Sequence, residues 1–290
     1  MPTLIDLRRR IRSVENSKKI TQAMKTVSTA KFRKAQRLVQ ESRPFWHRFP
    51  ELMRRLAFWA ADASRHPLLD RRDERKVEVM VITSDKGLAG AFNSNLLAAA
   101  SAFIAETEKT AAVRVVAIGK KAAAYFKKQA WPVDRSIGDR TDKLTRAEIR
   151  GLAWFVMREY ALQRIDAAYV VYNEFKSIVA PKITTARILP LDRDAGSEPS
   201  ANWIPDWEPD PERLALAIMP LFVESQIHHA LHESQAAEQA ARMMAMDNAT
   251  KNAEELIDDL VLVLNKIRQA GITKELLEIM TAVEALKENA

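Results

Sequence analysis

Apolar residues recur at helical spacing near both ends of the chain. The carboxy-terminal part has neither proline nor glycine from Leu221 to Ala270. Within it, apolar residues alternate in steps of three and four: Met246, Ala249, Ala253, Leu256, Leu260, Val263, Ile267 and Ala270. This heptad seam predicts a long helix that pairs with another helix along one narrow face.

A second uninterrupted stretch lies at the amino-terminal end, where residues 3–43 lack proline and glycine. Its apolar residues also step by three and four, with one slip in phase before Ile20: Leu4, Leu7, Ile11, Val14, Ile20, Met24 and Val27. Pro44 and Pro50 predict a bend, or a helix that restarts and runs to about Ser64. An antiparallel pair of the two terminal helices would bury both seams.

The middle of the chain has a different pattern. Short β-rich runs at residues 77–83, 113–118, 167–172 and 182–189 alternate with helical stretches at 93–109, 122–129 and 145–164. We expect Asn93 or Ser94 to cap the first of these helices, and Thr145 with Glu148 to form a capping box on the last. This alternation predicts a small, largely parallel, Rossmann-like α/β layer.

The predicted fold is therefore α+β and mostly α: an antiparallel coiled coil of terminal helices with an inserted α/β domain. The predicted segments are a helix over 1–64, the α/β domain over 75–190, a proline-rich acidic linker over 191–211 and a helix over 212–290. We find no internal repeat.

Composition limits the possible functions. The 290 residues include no cysteine, which excludes disulfides and thiolate chemistry. No apolar run approaches the ~20 residues that cross a bilayer, so a membrane would be met only through partners. The net charge is +7, yet residues 1–60 alone carry 15 Lys and Arg against 4 Asp and Glu. This basic segment predicts an acidic partner surface: nucleic acid, anionic lipid or protein.

Two sequence features suggest chemistry, and each has a simpler explanation. Gly87 and Gly90 in the stretch Thr83–Asn95 could shape a phosphate-binding turn, but the stretch matches neither a Walker loop nor a GxGxxG motif, so we favour a structural βα-loop. Glu224, His228 and His232 share a helix face at metal-ligand spacing, but we favour exposed surface histidines. We predict no catalytic residues, no cofactor and no metal.

Beyond Gly271 the apolar residues no longer follow one seam. They spread around the predicted helix: Ile279, Met280, Ala282, Val283, Ala285 and Leu286. A helix end that is apolar on all sides needs an enclosing partner.

Several stretches together resemble the gamma subunit family of F-type ATP synthases. IRSVENSKKITQAMKTVSTAKFRKAQ (residues 11–36) is similar to the family's amino-terminal helix, and TSDKGLAGAFNSN to its SDRGLCGGFN loop. EPDP (208–211), EQAARMMAMDNATKNAEELIDDL (238–260) and NKIRQAGITKELLEI (265–279) are similar to the carboxy-terminal segment. Ala282 and Val283 replace the Gly-Ala usual near its end, Leu264 replaces a tyrosine, and Ala89 replaces the loop cysteine.

The resemblance implies a non-catalytic rotating shaft that couples proton or sodium flow to ATP synthesis or hydrolysis. The implied partners are an alternating hexamer of alpha and beta subunits, the epsilon subunit, the membrane ring of c subunits and, indirectly, delta. It implies no nucleic acid, and a peripheral position on the cytoplasmic face of a bacterial inner membrane.

The resemblance also implies roles for particular residues. Arg268 and Gln269 would contact a beta subunit, Met24 and Lys25 would face the stator, and a bearing would enclose the tip at Ile279, Val283 and Leu286. The alternatives are a basic coiled-coil protein that binds nucleic acid, an adaptor, and an α/β enzyme that binds nucleotide through residues 83–95.

Overall fold

Two long helices dominate the computed structural model, which describes residues 3–59, 66–129, 131–139, 141–178, 181–191, 208 and 210–288. Helix α1 is Leu4–Trp59, and the last helix, α5, is Pro211–Glu288. α1 continues through Pro44 and Pro50 without a break, and residues 60–64 of the predicted helix lie outside the described residues. α5 continues through Pro220 and Gly271, and the segment beyond Gly271 is not a separate helix. Most of the predicted linker lies outside the described residues.

Between α1 and α5, the described residues form five strands and three α-helices. In chain order they are β1 Lys76–Ile82, α2 Phe92–Thr107, β2 Ala112–Ile118, α3 Lys120–Phe126, β3 Val133–Ile137, α4 Arg146–Ala161, β4 Ala167–Glu174 and β5 Lys182–Leu189. The strand order is β3-β2-β1-β4-β5, and only the β4–β5 pair is antiparallel. The predicted, largely parallel α/β layer is confirmed, and β3 is an edge strand that the sequence pattern did not indicate.

The central position of β1 in the sheet explains why its sequence is apolar almost throughout. A central parallel strand is covered on both faces, so its residues need not alternate in polarity. Val77, Val79 and Val81 pack on the side of α2 and α3. Met80 and Ile82 pack on the other side, with α4 and parts of α1 and α5.

Two compact units can be distinguished. One contains residues 1–27 and 243–290, and the other contains residues 28–242. In the second unit, the end of β4 is fastened to both long helices. The Arg43 guanidinium donates to the Phe175 carbonyl oxygen at 2.8 Å, the Glu233 carboxylate accepts from the Phe175 N–H at 2.9 Å, and Phe32 meets the Phe175 ring edge-on.

Of the two helix caps that the sequence predicts in the α/β layer, one is observed. Thr145 and Glu148 form the predicted capping box at the start of α4. At α2 the prediction is wrong: the N-cap residue is Ala91, without a side-chain hydrogen bond. The Asn93 amide instead bonds Ser84, so this side chain stabilises the preceding loop. Among the described residues, no helix is long and apolar enough to cross a bilayer.

Candidate functional site

Three side-chain pairs join the terminal helices within the unit formed by residues 1–27 and 243–290. Lys18 lies 3.0 Å from Glu254, the Thr21 and Thr250 hydroxyls are 2.8 Å apart, and Lys25 lies 2.6 Å from Asp247. Residue numbers rise on α1 as they fall on α5, so the two segments are antiparallel, as predicted. Hydrogen bonds from Lys25 and Lys251 lower the pKa of the Asp247 carboxyl.

The amino-terminal seam differs from the predicted one. There is no slip in phase, and Ile20 and Val27 are exposed. The covered face continues through buried or half-buried side chains in steps of three and four: Leu7, Ile11, Val14, Lys18, Thr21 and Met24. A threonine and a lysine stem occupy seam positions because each finds a polar partner on α5.

The carboxy-terminal seam is correct at five of its eight predicted positions. Met246, Ala249, Ala253, Leu260 and Ile267 are buried or half-buried, but Leu256, Val263 and Ala270 are exposed. The intervening covered positions are one residue later: Thr250, Ile257, Leu264 and Gly271. A search for apolar residues passes over Thr250 and Gly271. Ile257 and Leu264 are apolar, and only their burial distinguishes them from their exposed neighbours Leu256 and Val263.

The predicted contact residues differ in their surroundings. Arg268 and Gln269 are exposed, and Arg268 has no ion-pair partner within the described part of the chain. Met24 is half-buried, and Lys25 is already engaged with Asp247. Arg268 and Gln269 are therefore open to another molecule, whereas Lys25 also has a role inside the helix pair.

The last turns of α5 present a long apolar surface. Ile272, Leu276, Leu277, Ile279 and Met280 are all exposed, which agrees with the absence of a single seam beyond Gly271. Val283 and Leu286 belong to α5, but their side chains lie outside the described residues. Leu262 is also exposed, which the seam analysis missed. Its signal was available in the sequence, since it is a leucine outside the heptad positions.

The loop after β1 is held by hydrogen bonds within the protein. The Asp85 carboxylate accepts bonds from the backbone N–H groups of Lys120, Asp139 and Thr141, and from the Thr141 hydroxyl. The Arg242 guanidinium donates to the carbonyl oxygens of Lys86 and Gly87. These bonds connect the loop to neighbouring segments of the protein, which agrees with its interpretation as a structural βα-loop.

A groove of about 390 Å³ beside this loop has mixed charge. Its lining includes four cations and four carboxylates: Lys31, Lys86, Lys143, Arg242, Asp85, Asp139, Asp142 and Glu238. A phosphate group would meet as many like charges as opposite ones. The groove therefore gives no support to the nucleotide-binding hypothesis.

The histidines of α5 are not the exposed side chains that we expected. His228, His229 and His232 are half-buried, and burial lowers the pKa of His228 and His232. Glu224 is buried, and its carboxylate accepts bonds from Arg146 at 3.2 Å and Arg150 at 3.3 Å. Across the described residues, no group of three or more His, Cys, Asp or Glu side chains is placed to bind a metal.

A buried carboxyl group lies in β1. Glu78 is fully buried next to Arg114 of β2, and neither of its carboxyl oxygens has a hydrogen-bond partner in the described structure. The pKa of Glu78 is raised to about 7, chiefly by burial. The nearby charges of Asp134 and Glu159 also raise this pKa, whereas those of Arg114 and Arg135 lower it. The other two carboxylates pair with Arg114, at 2.8 Å for Asp134 and 3.8 Å for Glu159.

Comparison with known proteins gives one consistent result. A family model described as ATP synthase matches residues 3–286. The ATP synthase gamma chain of Solibacter usitatus is 43% identical over 98% of this chain and 99% of its own length. That of Anaeromyxobacter dehalogenans (strain 2CP-C) is 41% identical over 99% and 100%.

Solved structures share the fold. A chain in the Euglena gracilis mitochondrial ATP synthase (OSCP/F1/c-ring) is 21% identical, with a TM-score of 0.66 over 98% of this chain and 94% of that one. A chain in the Tetrahymena thermophila central stalk and c-ring is 22% identical, with a TM-score of 0.61 over 79% and 99%. These matches give no support to the nucleic-acid-binding or adaptor alternatives. With a family model along almost its whole length and relatives above 40% identity, the chain belongs to the ATP synthase gamma chain family.

Proposed function

We propose that this chain is the rotating central shaft of an ATP synthase, without a catalytic site of its own. Family membership along the whole chain is the observation that supports this most strongly. The shaft would couple proton or sodium flow through a membrane ring of c subunits to ATP synthesis or hydrolysis on the beta subunits. Its other partners would be alpha, epsilon and, indirectly, delta, at the cytoplasmic face of a bacterial inner membrane.

The paired helices have properties that suit a shaft. Their ion pairs are partly exposed, with side-chain exposures of 23–49%, and solvent-accessible pairs contribute only about 0–1 kcal/mol each. The covered seam between the helices is therefore the main source of stability in this unit. Beyond Gly271 the exposed apolar turns of α5 would be enclosed by the hexamer, which we propose as the bearing for Ile279, Val283 and Leu286.

Arg268 and Gln269 would form the contact with a beta subunit, and Met24 and Lys25 would face the stator nearby. Arg268 supports this role because its guanidinium is exposed and lacks an internal counter-ion among the described residues. Arginine presents several hydrogen-bond donors in a rigid plane, which suits a contact that forms in one orientation of the shaft. Lys25 is paired with Asp247, so Asp247 would partly neutralise the charge that Lys25 presents to the stator.

The test is to purify the whole complex through a tag on this chain and to compare Arg268→Ala with Arg75→Ala. Arg75 is a strongly exposed arginine whose side chain pairs locally with Asp73, so its removal is a matched loss of one charge. We expect both variants to co-purify with stoichiometric alpha and beta subunits. Arg268→Ala should lower the rate of ATP synthesis about 10- to 100-fold, as expected for a lost bond to a charged group worth about 1.5–3 kcal/mol.

Two results would contradict the proposal at different levels. If the tagged wild-type chain brings down no alpha and beta subunits and no ATPase activity, the shaft function is wrong. If Arg268→Ala instead prevents assembly while Arg75→Ala does not, Arg268 is a structural residue and not a contact that acts during turnover.

A further inference from the structure

An exposed tryptophan lies at the centre of the outer face of α4. The Trp154 side chain is 61% exposed, although tryptophan is among the residues that proteins most often cover. It belongs to a set of exposed residues that recur in steps of four, three, four and four, which we name the outer stripe of α4: Ala147, Gly151, Trp154, Arg158 and Leu162. Leu162 is the C-cap residue of the helix, and the other four lie within it.

The outer stripe is shaped for close approach. Gly151 and Ala147 lie one and two turns before Trp154, so the tryptophan borders a shallow, small-residue surface. A side-chain carbon added at Gly151 would meet no atom within 4 Å. Glycine inside a helix costs about 1 kcal/mol relative to alanine, and no contact within the described residues accounts for its presence here. An incoming backbone at this position would account for it, because packed helices approach to about 8–10 Å at small residues.

The charges around the outer stripe are mainly positive. Arg150 and Arg158 lie one turn before and one turn after Trp154. Arg150 shares Glu224 with Arg146, whereas Arg158 has no counter-ion in the described part of the chain. The acidic residues of α4 do not offset these positive charges on the outer stripe, because Glu148 closes the capping box and Glu159 is buried beside Arg164. A partner on this face would therefore be acidic.

From these observations we propose that the outer stripe of α4 is a docking surface for an acidic α-helix of another protein. Trp154 would be the apolar anchor, the partner backbone would cross at Gly151, and Arg158 would pair with a carboxylate of the partner. Tryptophan and arginine are enriched among the few residues that carry most of the binding energy of protein interfaces. This surface lies outside the paired terminal helices and goes beyond the proposed shaft function.

Photo-crosslinking in the intact assembly tests the proposal. Trp154 is replaced by benzoylphenylalanine in the tagged full-length chain, the assembly is purified at native salt and irradiated, and the crosslinked peptide is sequenced. We expect one protein partner, crosslinked through a helical segment with at least two Asp or Glu residues within two turns. Crosslinking to lipid, to a second copy of this chain, to a segment of another kind, or to nothing overturns the proposal.

Two variants then separate docking from folding. Gly151→Leu should raise the thermal stability of the free chain, because leucine favours helix, and yet lower retention of the crosslinked partner about tenfold by blocking the approach. Arg158→Glu should lower retention by a similar factor, whereas Lys128→Glu, an exposed charge reversal just after α3, should not. Unchanged retention in Gly151→Leu and Arg158→Glu contradicts the proposal. Recovery of ATPase activity in the same preparations shows separately whether the shaft function holds.

Discussion

Thr21 and Thr250 face each other across the paired terminal helices, with 2.8 Å between their hydroxyl oxygens. Each hydroxyl also lies within bonding distance of a carbonyl in its own helix, that of Lys18 for Thr21 and that of Met246 for Thr250. Three contacts are therefore available to two hydroxyl protons. At any moment one hydroxyl donates across the pair and the other donates within its own helix.

Replacing both threonines should cost less than the two single changes suggest. Thr21→Val and Thr250→Val each remove one member of a hydrogen-bonded pair, at about 1 kcal/mol. The double variant places two apolar side chains of similar shape in the seam, and its free energy of unfolding should lie close to that of the wild type. A double-mutant cycle from urea unfolding, followed by circular dichroism at 222 nm, measures the coupling. Additive single and double effects would mean that the hydroxyl pair contributes nothing.

Leu256 and Leu260 distinguish the observed seam from the one that the apolar pattern predicts. Leu260 is only 8% exposed, and Leu256, one turn earlier on the same helix, is 39% exposed. Leu260→Ala should therefore lower the free energy of unfolding by about 2–3 kcal/mol, and Leu256→Ala by less than about 1 kcal/mol. Equal losses in the two variants would support the seam predicted from the sequence.

These two leucines show where the sequence pattern stops being informative. The period of apolar residues predicted both long helices and their antiparallel pairing. It did not determine which residues face the partner, because Thr250 and Gly271 hold seam positions while Leu256 and Val263 face outward. A helix pair accepts a small or hydrogen-bonded residue in its seam. The outward leucine and valine remain available to another molecule, and a single-chain pattern carries no sign of that molecule.

In the α/β layer, too, the sequence pattern indicated some elements and missed others. β1 and β2 were evident as apolar runs, since both are covered on two faces. β3 was not, because Val133–Ile137 is an exposed edge strand with the sequence VDRSI. Asn93 looked like a helix cap from its position, yet its amide bonds Ser84. The sequence shows which groups can form hydrogen bonds, but tertiary contacts decide which bonds are formed.

Gly119 and Gly151 should respond in opposite directions to the same substitution. Gly119 has a φ of +100°, and an added side-chain carbon would lie 2.3 Å from the Thr83 carbonyl oxygen. Gly119→Ala should therefore lower the free energy of unfolding by more than about 3 kcal/mol, through strain and the displaced β1 loop. Gly151→Ala, in open space on α4, should raise it by about 1 kcal/mol. Thermal unfolding of the two variants provides the comparison, and a tolerated Gly119→Ala would contradict the close approach.

Glu78 should make the stability of the α/β layer depend on pH. Its pKa is about 7 in the folded protein against an ordinary value of 4.5, because the carboxyl is buried without a hydrogen-bond partner. The unfolded chain therefore loses this proton first as pH rises. The contribution of Glu78 is most favourable below pH 4.5 and falls until both states are ionised above pH 7. At 1.36 kcal/mol per unit of pKa, the total loss is about 3 kcal/mol.

Glu78→Gln should remove most of this dependence. The amide stays neutral, so the variant should match the wild type near pH 5 and exceed its free energy of unfolding by about 2–3 kcal/mol at pH 8. Glu108→Gln, at the exposed end of α2, is the matched control and should follow the wild type at both values. The measurement is urea unfolding at pH 5 and pH 8. If Glu78→Gln has no advantage at pH 8, then Glu78 is ionised in the folded protein at little cost, and Arg114 is its effective counter-ion.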